Sequence, residues 1–379
     1  MKKITHFGKY YYPETGGIES VTSSLASGAA LSGYSVVVVC FRKKSGGFDE
    51  VINNVRIFRS PINRLISSQP LGIKYLLNCI KESINSSVVH LHAPNMLGAL
   101  CAIFLSKKIK LLVHWHSDVV NKGILGHLMK PLEYALLRRA DVVVATSRIY
   151  AEASKTLMPF KNKITVIPIG IKDVSNEIKK SAISVEIEKK IVGKKIILSV
   201  GRLVSYKGFD VLIEAAKYID DAVVLIVGEG DLYEHFNSII KLYGVSDKVF
   251  LVGRLSNDEL GYLFSKSNIY CMASIHRAEA FGVVLLEAMA YGLPIIATAI
   301  PGSGVSWVNK HGVSGINVPV GDAKALARAC NDILGSDINR ERFSVGARER
   351  FLREFTEDVS VNNFMKLYDG LTANLDNDA

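Results

Sequence analysis

The sequence predicts an α/β protein built from two doubly wound domains. Short β-branched runs alternate with amphipathic helical stretches along most of the chain, which is typical of βα units around a parallel sheet. A charged stretch with few aromatic residues, 172–195, interrupts the alternation, which then begins again. A chain of 379 residues is long enough to bury two cores. We therefore expect one domain over 1–170, a second over 171–356, and a C-terminal helix within 357–379 that returns to the first domain and ends in a disordered tail.

The first half contains five predicted strands, each a short run rich in β-branched residues. They are Lys3–Gly8, Ser35–Phe41, Val88–His92, Lys110–His114 and Asp141–Thr146. Amphipathic spacing predicts helices between them, notably at Ile18–Ser32, Leu71–Ser83 and Gly126–Arg139.

The second half repeats this arrangement. Its predicted strands are Lys195–Val200, Ala222–Val227, Lys248–Val252, Ile269–Met272 and Pro294–Ala297. Its predicted helices are Gly208–Tyr218, Asp231–Tyr243, Asn257–Ser265 and Gly282–Tyr291, with a helical tail from Asp322 onward. Two such halves predict a ligand cleft between the domains, at the carboxyl ends of the strands.

Composition indicates a globular protein of a reducing compartment. Hydrophobic residues make up 49% and charged residues 22% of the chain, and the five cysteines are scattered without a C-x-x-C pair. The start of the chain lacks the apolar region of a signal peptide, and the longest apolar runs are far shorter than a membrane span. We expect a cytoplasmic protein without transmembrane segments.

The charge of the chain is unevenly distributed. Residues 1–175 contain 23 Lys and Arg against 10 Asp and Glu, whereas the remainder contains 23 against 26. This asymmetry indicates either an anionic partner for the first half, such as nucleic acid or a membrane surface, or simply a well-solvated basic surface. Nucleic acid is not expected as a partner, because the chain lacks a recognisable nucleic-acid-binding module.

Two glycine-containing loops follow predicted strands. In Pro13–Glu19, the pair Gly16-Gly17 precedes a helix whose N-terminus favours anions. In the segment Gly201–Gly208, Arg202 and Lys207 stand on a strand-to-helix loop, where a planar guanidinium and an ammonium suit a diphosphate.

A third motif consists of two carboxylates eight positions apart, Glu279 and Glu287. Carboxylates accept hydrogen bonds from vicinal diols, so ribose and sugar hydroxyls are natural partners. Between them, Phe281-Gly282-Val283 would begin a helix whose free amides can hold phosphate oxygens.

Histidines cluster at the ends of two first-half strands. His114 and His116 belong to the run His114–Asp118, and His90 and His92 end another strand. The H-x-H spacing places each pair on one face of its strand, but no third-ligand carboxylate is evident in the sequence. We expect His90 and His92 to be core or hydrogen-bonded residues, and His116 to be free to donate to a sugar hydroxyl.

Together these motifs resemble glycosyltransferase family 4, the retaining enzymes with the GT-B fold, over nearly the whole chain. The specific part of the resemblance is the E-x7-E segment Glu279–Glu287 with Gly292-Leu293-Pro294, combined with the G-R-x4-K-G loop. Bacterial O-antigen and capsule mannosyltransferases are the most similar members, through His114–Asp118, Arg138–Asp141 and Gly302–Val305. The resemblance implies a GT-B fold: two Rossmann-like domains facing each other across a donor/acceptor cleft.

The resemblance also implies roles for individual residues. Arg202 and Lys207 would hold the donor diphosphate, with Gly16 and Gly17 closing over it. Glu287 would bind the ribose, Glu279 and His116 would lie beside the transferred sugar, and Arg254 would lie near the base. The amides of Phe281, Gly282 and Val283 would contact phosphate or sugar.

The implied reaction is a metal-independent transfer of a sugar from a nucleotide-diphosphate donor. No cofactor or metal is expected, because the only D-x-D, Asp376-Asn377-Asp378, lies in the tail. GDP-mannose is the leading donor, ahead of a UDP-sugar, and a lipid-linked oligosaccharide at an anionic membrane surface is the expected acceptor. A sugar-nucleotide epimerase of the same fold, a phosphorylase and a catalytically silent binding subunit are the alternatives.

Overall fold

The computed structural model describes residues 1–14, 16–43, 47–66, 69–118, 123–175 and 183–373. The chain divides into two compact units, Met1–Gly170 with Glu357–Ala379, and Ile171–Thr356. Each unit contains a large sheet flanked by helices.

The first unit contains an eight-stranded sheet and a small two-stranded one. The strands are β1 Lys3–Phe7, β2 Ser35–Arg42, β3 Phe48–Ile52, β4 Val55–Pro61, β5 Arg64–Ile66, β6 Gln69–Leu71, β7 Val88–Ala93, β8 Lys110–Trp115, β9 Val142–Ala145 and β10 Ile164–Val166. The helices before the C-terminal region are α1 Gly17–Leu31, α2 Ile73–Ser83, α3 Met96–Ile103, α4 Gly123–Arg139 and α5 Arg148–Ala153.

The large sheet has the strand order β10-β9-β8-β7-β1-β2-β4-β3, parallel except for β3. After β1 the chain adds β2, β4 and β3 on one side of the sheet, and from β7 onward it adds strands on the other side. The parallel pair β1 and β7 is therefore the topological switch point, where doubly wound sheets bind ligands. The β3–β4 hairpin was not predicted. Its turn is Asn53-Asn54, with φ of 51° and 62°, and Asn tolerates this left-handed region better than most residues.

The second unit contains a six-stranded parallel sheet. Its elements are α6 Val185–Ile191, β11 Lys195–Val200, α7 Phe209–Ala215, β12 Ala222–Val227, α8 Tyr233–Leu242, β13 Val249–Gly253, α9 Asn257–Lys266, β14 Ile269–Met272, α10 Val283–Ala290, β15 Ile295–Thr298, α11 Val305–Val308, β16 Gly315–Val318, α12 Ala323–Leu334 and α13 Asp337–Glu354. The order β13-β12-β11-β14-β15-β16 places the switch point between β11 and β14.

The C-terminal helix α14, Glu357–Thr372, packs on the sheet of the first unit. Ser360 donates to the carbonyl of Pro168 at 3.1 Å, and the Phe364 ring stacks on the His90 ring of β7 at 5.4 Å. Burial of Phe364 and Tyr368 makes this helix part of the first core. The predicted disordered tail and the Asp376-Asn377-Asp378 triplet lie outside the described residues.

The sequence interpretation of 172–195 as a connection is wrong in its last part. Residues Val185–Ile191 form α6, in which Glu188 accepts a hydrogen bond from Tyr262 at 3.3 Å and Ile191 is buried. The stretch was interpreted as a connection because it is rich in charged residues, although α6 is a short amphipathic helix with one apolar side. Predicted strands and helices elsewhere lie within two or three residues of the observed ones. Elements β3–β6, β10, β16, α3, α5 and α11 were not predicted.

Within the described part of the chain, no helix is both long and apolar enough to cross a bilayer.

Candidate active site

The loops after β11 and β14 meet at the switch point of the second sheet. The first loop includes the 3-10 turn Ser205–Lys207, and its Tyr206 carbonyl accepts a hydrogen bond from the amide of Ile275 at 2.9 Å. Because β11 and β14 are adjacent, two motifs more than 70 positions apart share one edge of the sheet.

Lys207 and Glu279 form an ion pair at this edge. Their Nζ and Oε2 atoms are 2.6 Å apart, and the side chains are only 10% and 12% exposed. Ser274 Oγ donates to the same carboxylate oxygen at 3.3 Å. A charged hydrogen bond so shielded from water holds both side chains in one geometry, so the two predicted residues act as one unit.

Two glycines, one at each end of the loop that carries Lys207, allow this loop to pack against the segment that follows β14. A Cβ on Gly201 would lie 3.0 Å from Cε of Lys207, against its folded-back chain. Gly208 has φ of 64°, and a Cβ there would overlap the carbonyl oxygen of Ala273. The backbone path thus requires Gly208, whereas Gly201 leaves room for the side chain of Lys207.

The segment Gly302–Val305, whose role the sequence left unexplained, supports the Glu279 loop. Ser303 Oγ donates to the backbone carbonyl of Glu279, and the amide of Gly304 donates to the carbonyl of Ala280 at 2.8 Å. Ser274 is a site residue that sequence reasoning missed, and its only signal was its position two residues after β14. Ser303 lies in a segment that the resemblance singled out, but its role was not predicted.

The helix α10 begins at the predicted place. Phe281 is buried against Trp307 and Phe355, and Gly282 takes a left-handed conformation with φ of 81° as N-cap. Val283 is the first helical residue, and the first turn carries no acidic side chain. The amide of Leu285 already donates to the carbonyl of Gly282 at 2.8 Å, whereas the amides of Val283 and Val284 precede the first intrahelical acceptors and can hold an anion.

Glu287 lies on α10, eight positions after Glu279. Burial raises the pKa of its carboxyl to about 7, while the charge of Lys207 lowers it. At neutral pH a substantial fraction of Glu287 is therefore protonated, and the group can both accept and donate hydrogen bonds to a diol.

The two predicted arginines are more exposed than Lys207. Arg202 stands on the β11 loop, where its Nη2 donates to the Tyr206 hydroxyl at 3.4 Å. Arg254 follows β13, two strands away from β11. The structure therefore brings Lys207, Glu279 and Glu287 together, whereas Arg254 lies at the far end of the same sheet edge.

In the first unit, the predicted glycines lie at the switch-point edge. Gly16 is the N-cap of α1 and Gly17 is its first residue, directly after the β1 loop. The Glu19 carboxylate folds back over Gly16, so that its Cδ would lie 3.1 Å from an added Cβ. An acidic group thus covers a helix N-terminus, the position that favours negative charge.

His116 directly follows β8 at the same edge. Its Nε2 lies 3.1 Å from Nδ1 of His92, and its ring stacks on His114 with centroids 4.0 Å apart. Burial lowers the pKa of His116 to about 3, so the imidazole is neutral at physiological pH. His90 and His92 are buried and hydrogen-bonded, as predicted.

Two trios of buried histidines bring ring nitrogens within 4.8 Å of one another: His6, His90 and His92, and His92, His114 and His116. By distance alone either trio could ligate a transition metal. In each trio a hydrogen bond already joins two of the ring nitrogens, His6 Nδ1 with His92 Nε2 and His92 Nδ1 with His116 Nε2, both at 3.1 Å. The absence of a metal from the reaction stays a prediction.

An apolar cavity of about 110 Å³ lies beside the ends of β7 and β8, under α4. Its walls include Trp115, Met129 and Leu136 together with one carboxyl, Glu133, whose pKa is raised to about 7, chiefly by burial. Sequence reasoning did not identify this cavity, since its walls come from six separate elements, β5, β6, β7, α3, β8 and α4.

Comparison with known proteins agrees with this arrangement of motifs. Residues 15–173 match the family model for Glycosyltransferase Family 4, and residues 180–350 match that for Glycosyl transferases group 1. The O-antigen chain mannosyltransferase C of Escherichia coli is 30% identical over 97% of this chain and 98% of its own length. The chain belongs to glycosyltransferase family 4. The D-rhamnosyltransferase WbpZ of Pseudomonas aeruginosa is 28% identical to this glycosyltransferase over 93% of the chain and 92% of its own length.

Solved structures confirm the GT-B fold of the glycosyltransferase. Sucrose-phosphate synthase of Thermosynechococcus elongatus aligns with a TM-score of 0.80 at 21% identity, over 98% of this chain and 100% of that one. Anabaena HepE in complex with UDP aligns with a TM-score of 0.76 at 17% identity, over the same shares.

Proposed function

We propose that this glycosyltransferase transfers mannose from GDP-mannose, with retention of configuration, to a lipid-linked oligosaccharide of a bacterial surface polysaccharide. The observation that carries the proposal is the buried Lys207–Glu279 ion pair beside the free amides of α10. It combines an anion site with a carboxylate that accepts from hydroxyls, which are the two features of a sugar diphosphate. Similarity to the E. coli mannosyltransferase over 97% of the chain supports the choice of sugar.

Leaving-group stabilisation is the main task in the proposed reaction. The bond between C1 of the sugar and the diphosphate oxygen breaks, the acceptor oxygen bonds to C1 on the same face, and the hydroxyl proton passes to the leaving phosphate oxygen. Negative charge grows on the diphosphate, where Lys207, Arg202 and the amides near Val283 supply fixed positive charge. No metal or cofactor takes part.

Lys207 is partly neutralised by Glu279 before the donor binds. An ammonium has three N–H donors, so Lys207 can keep its bond to Glu279 while donating to a phosphate oxygen. In this scheme Glu279 orients Lys207 and accepts from a sugar hydroxyl. Glu287 binds the ribose, Arg254 lies near the base, and His116 contacts the transferred sugar. Gly16 and Gly17 hold the diphosphate from α1 once Glu19 has moved aside.

The acceptor is proposed to be reached at an anionic membrane surface on the cytoplasmic side. Exposed Lys107 and Lys108 lie next to Phe104, which is 80% exposed, so the first unit offers charge and an apolar anchor together. Other residues of the first unit, basic and apolar, have structural roles instead. Arg139 caps three carbonyls after α3 and pairs with Asp141 at 3.2 Å, and Leu136 and Leu137 of α4 belong to the core.

The deciding experiment measures transfer from a panel of donors to a polyprenyl-diphosphate oligosaccharide. GDP-mannose, a nucleotide-activated D-rhamnose and several UDP-sugars would each be tested with and without the acceptor, and the anomeric configuration of the product determined by NMR. We expect an α-mannosyl product from the α-linked GDP-mannose. Transfer only from another donor would refute the mannose assignment, and conversion of the donor sugar without an acceptor would indicate an epimerase.

A further inference from the structure

Five buried histidines lie on one face of the first sheet, and the strand register explains why. His6 of β1 is opposite His90 of β7, and His92 of β7 is opposite His114 of β8. Alternate residues of a strand share a face, so His90 and His92 lie together, as do His114 and His116. The sheet therefore collects the rings from three neighbouring strands at its switch point.

Three of these rings form a linear hydrogen-bonded chain. Nδ1 of His6 lies 3.1 Å from Nε2 of His92, whose own Nδ1 lies 3.1 Å from Nε2 of His116. The ring centroids of both pairs are 5.4 Å apart and the planes differ by 19° and 14°. These values describe imidazoles joined edge to edge along N–H···N bonds.

The two remaining rings cover the faces of this chain. His90 stacks on His92 at 4.3 Å, and His114 stacks on His116 at 4.0 Å. His90 is itself held by the hydroxyl of Tyr368 on α14, 2.6 Å from its Nδ1. The stacked His90 ring and the hydrogen bonds at both of its nitrogens hold the His92 ring in one orientation.

Two bonds in series impose one tautomer on all three rings. A neutral imidazole has a single N–H, so if His92 donates to His116 it must accept from His6. Either every ring carries its proton on Nδ1, or every ring carries it on Nε2. In the first state His116 presents an N–H at its remaining nitrogen, and in the second it presents a lone pair.

The buried end of the chain decides between the two states. Nε2 of His6 is buried and has no hydrogen-bond partner among the described residues. The all-Nε2–H state would leave an orphaned buried N–H there, which is rarer in folded proteins than an unpaired acceptor. The all-Nδ1–H state leaves only a lone pair.

We propose that His6 and His92 are positioning residues that hold His116 in the Nδ1–H tautomer, so that it offers a neutral hydrogen-bond donor to a substrate oxygen. Nδ1 of His116 takes no hydrogen bond within the described residues, and His116 is the most exposed of the five rings, at 7%. His6, two strands away from His116, thus determines through His92 whether Nδ1 of His116 donates or accepts. The proposal rests on the proposed function only in the identity of the substrate.

The test is nitrogen NMR on the full chain labelled at histidine, because the two ring nitrogens of a neutral imidazole resonate apart according to which one carries the proton. Loss of a signal set in His116→Gln identifies His116. We expect Nδ1–H in the wild type. An Nε2–H signal at His116 would overturn the proposal, as would stoichiometric zinc in the purified protein, and neither result depends on activity.

Two substitutions at one position separate proton positioning from packing. His92→Asn keeps an amide N–H where Nδ1 stands, whereas His92→Leu keeps apolar volume without a donor. We expect the Asn variant to keep the Nδ1–H tautomer of His116, and the Leu variant to lose it with a fall in kcat of roughly 10- to 100-fold. An unchanged tautomer in a folded Leu variant would refute the idea. If that variant does not fold, the wild-type spectrum still decides.

Discussion

Acidification from pH 7.5 to pH 5 should destabilise the first unit strongly. Burial holds the pKa of His6 and His116 at about 3, and those of His90, His92 and His114 well below their ordinary value. In the unfolded chain each imidazole titrates near pH 6.5, as exposed histidines do. The unfolded state therefore binds more protons, and stability falls as the pH drops below the unfolded pKa.

The size of the loss follows from linkage. With a folded pKa near 3 and an unfolded pKa near 6.5, each histidine loses about 2 kcal/mol of stability between pH 7.5 and pH 5. His6 and His116 together contribute about 4 kcal/mol. Burial lowers the pKa values of His90, His92 and His114 as well, so these rings add to the loss in the same direction, and about 4 kcal/mol is already a large part of the stability of a domain.

Trp115 provides the signal for this measurement, since it lies in β8 between two of the histidines and is 2% exposed. In a Trp307→Phe background, its fluorescence reports urea unfolding of the first unit alone. The unfolding free energy would be measured at pH intervals between 7.5 and 5. A flat pH dependence would refute the reasoning.

A matched pair of variants assigns the effect to the cluster. Both ring nitrogens of His114 are buried without a partner among the described residues, so His114→Phe should be neutral or stabilising at pH 7.5. It should also reduce the proton uptake on unfolding by about one, or roughly 1.4 kcal/mol per pH unit. His235→Gln, at an exposed position in the second unit, is the control. An unaltered slope in His114→Phe would contradict the assignment.

Four further predictions concern activity and binding. Lys207→Ala and Arg202→Ala should each lower kcat/KM by about 100-fold or more, and Arg202→Ala should leave the melting temperature almost unchanged. Near-normal rates in both variants would exclude this loop from catalysis. Ser303→Ala, which frees the Glu279 carbonyl, should lower kcat by several-fold in the same transfer assay, and a wild-type rate would show that the loop is held otherwise. Transfer should persist in excess EDTA, and loss of activity restored by Mn²⁺ or Mg²⁺ would show that a metal stabilises the leaving group. Co-sedimentation with vesicles should require anionic lipid and weaken at high salt. It should fall in the double variant Lys107→Glu/Lys108→Glu but not in the control Lys241→Glu, at an exposed position of the second unit. Equal pelleting with neutral vesicles would refute charge-driven binding.

Local patterns were sufficient to locate most of the catalytic candidates. The G-R-x4-K-G loop and the E-x7-E segment each predicted a strand, a turn and a helix from neighbouring residues, and β11, β14 and α10 begin and end within a residue or two of the expected places. Glycine conformation, helix starts and strand periodicity depend on short-range sterics, which a single sequence reveals. The Asn53-Asn54 turn of the β3–β4 hairpin was also visible, although its signal went unused.

Contacts between distant segments needed the tertiary structure. Nothing in the spacing of Lys207 and Glu279 indicates that they form one ion pair, because their proximity results from β11 lying next to β14. Likewise, the H-x-H pattern predicted which side chains share a face of one strand, but not that His6 of β1 would extend the chain to three rings.

The sequence by itself therefore determined the family, the two α/β halves and the residue types of the site. Strand order and register decided which of those residues touch, and burial then decided their protonation. These depend on hydrogen bonds between strands and on the exclusion of water, which are properties of the folded chain as a whole.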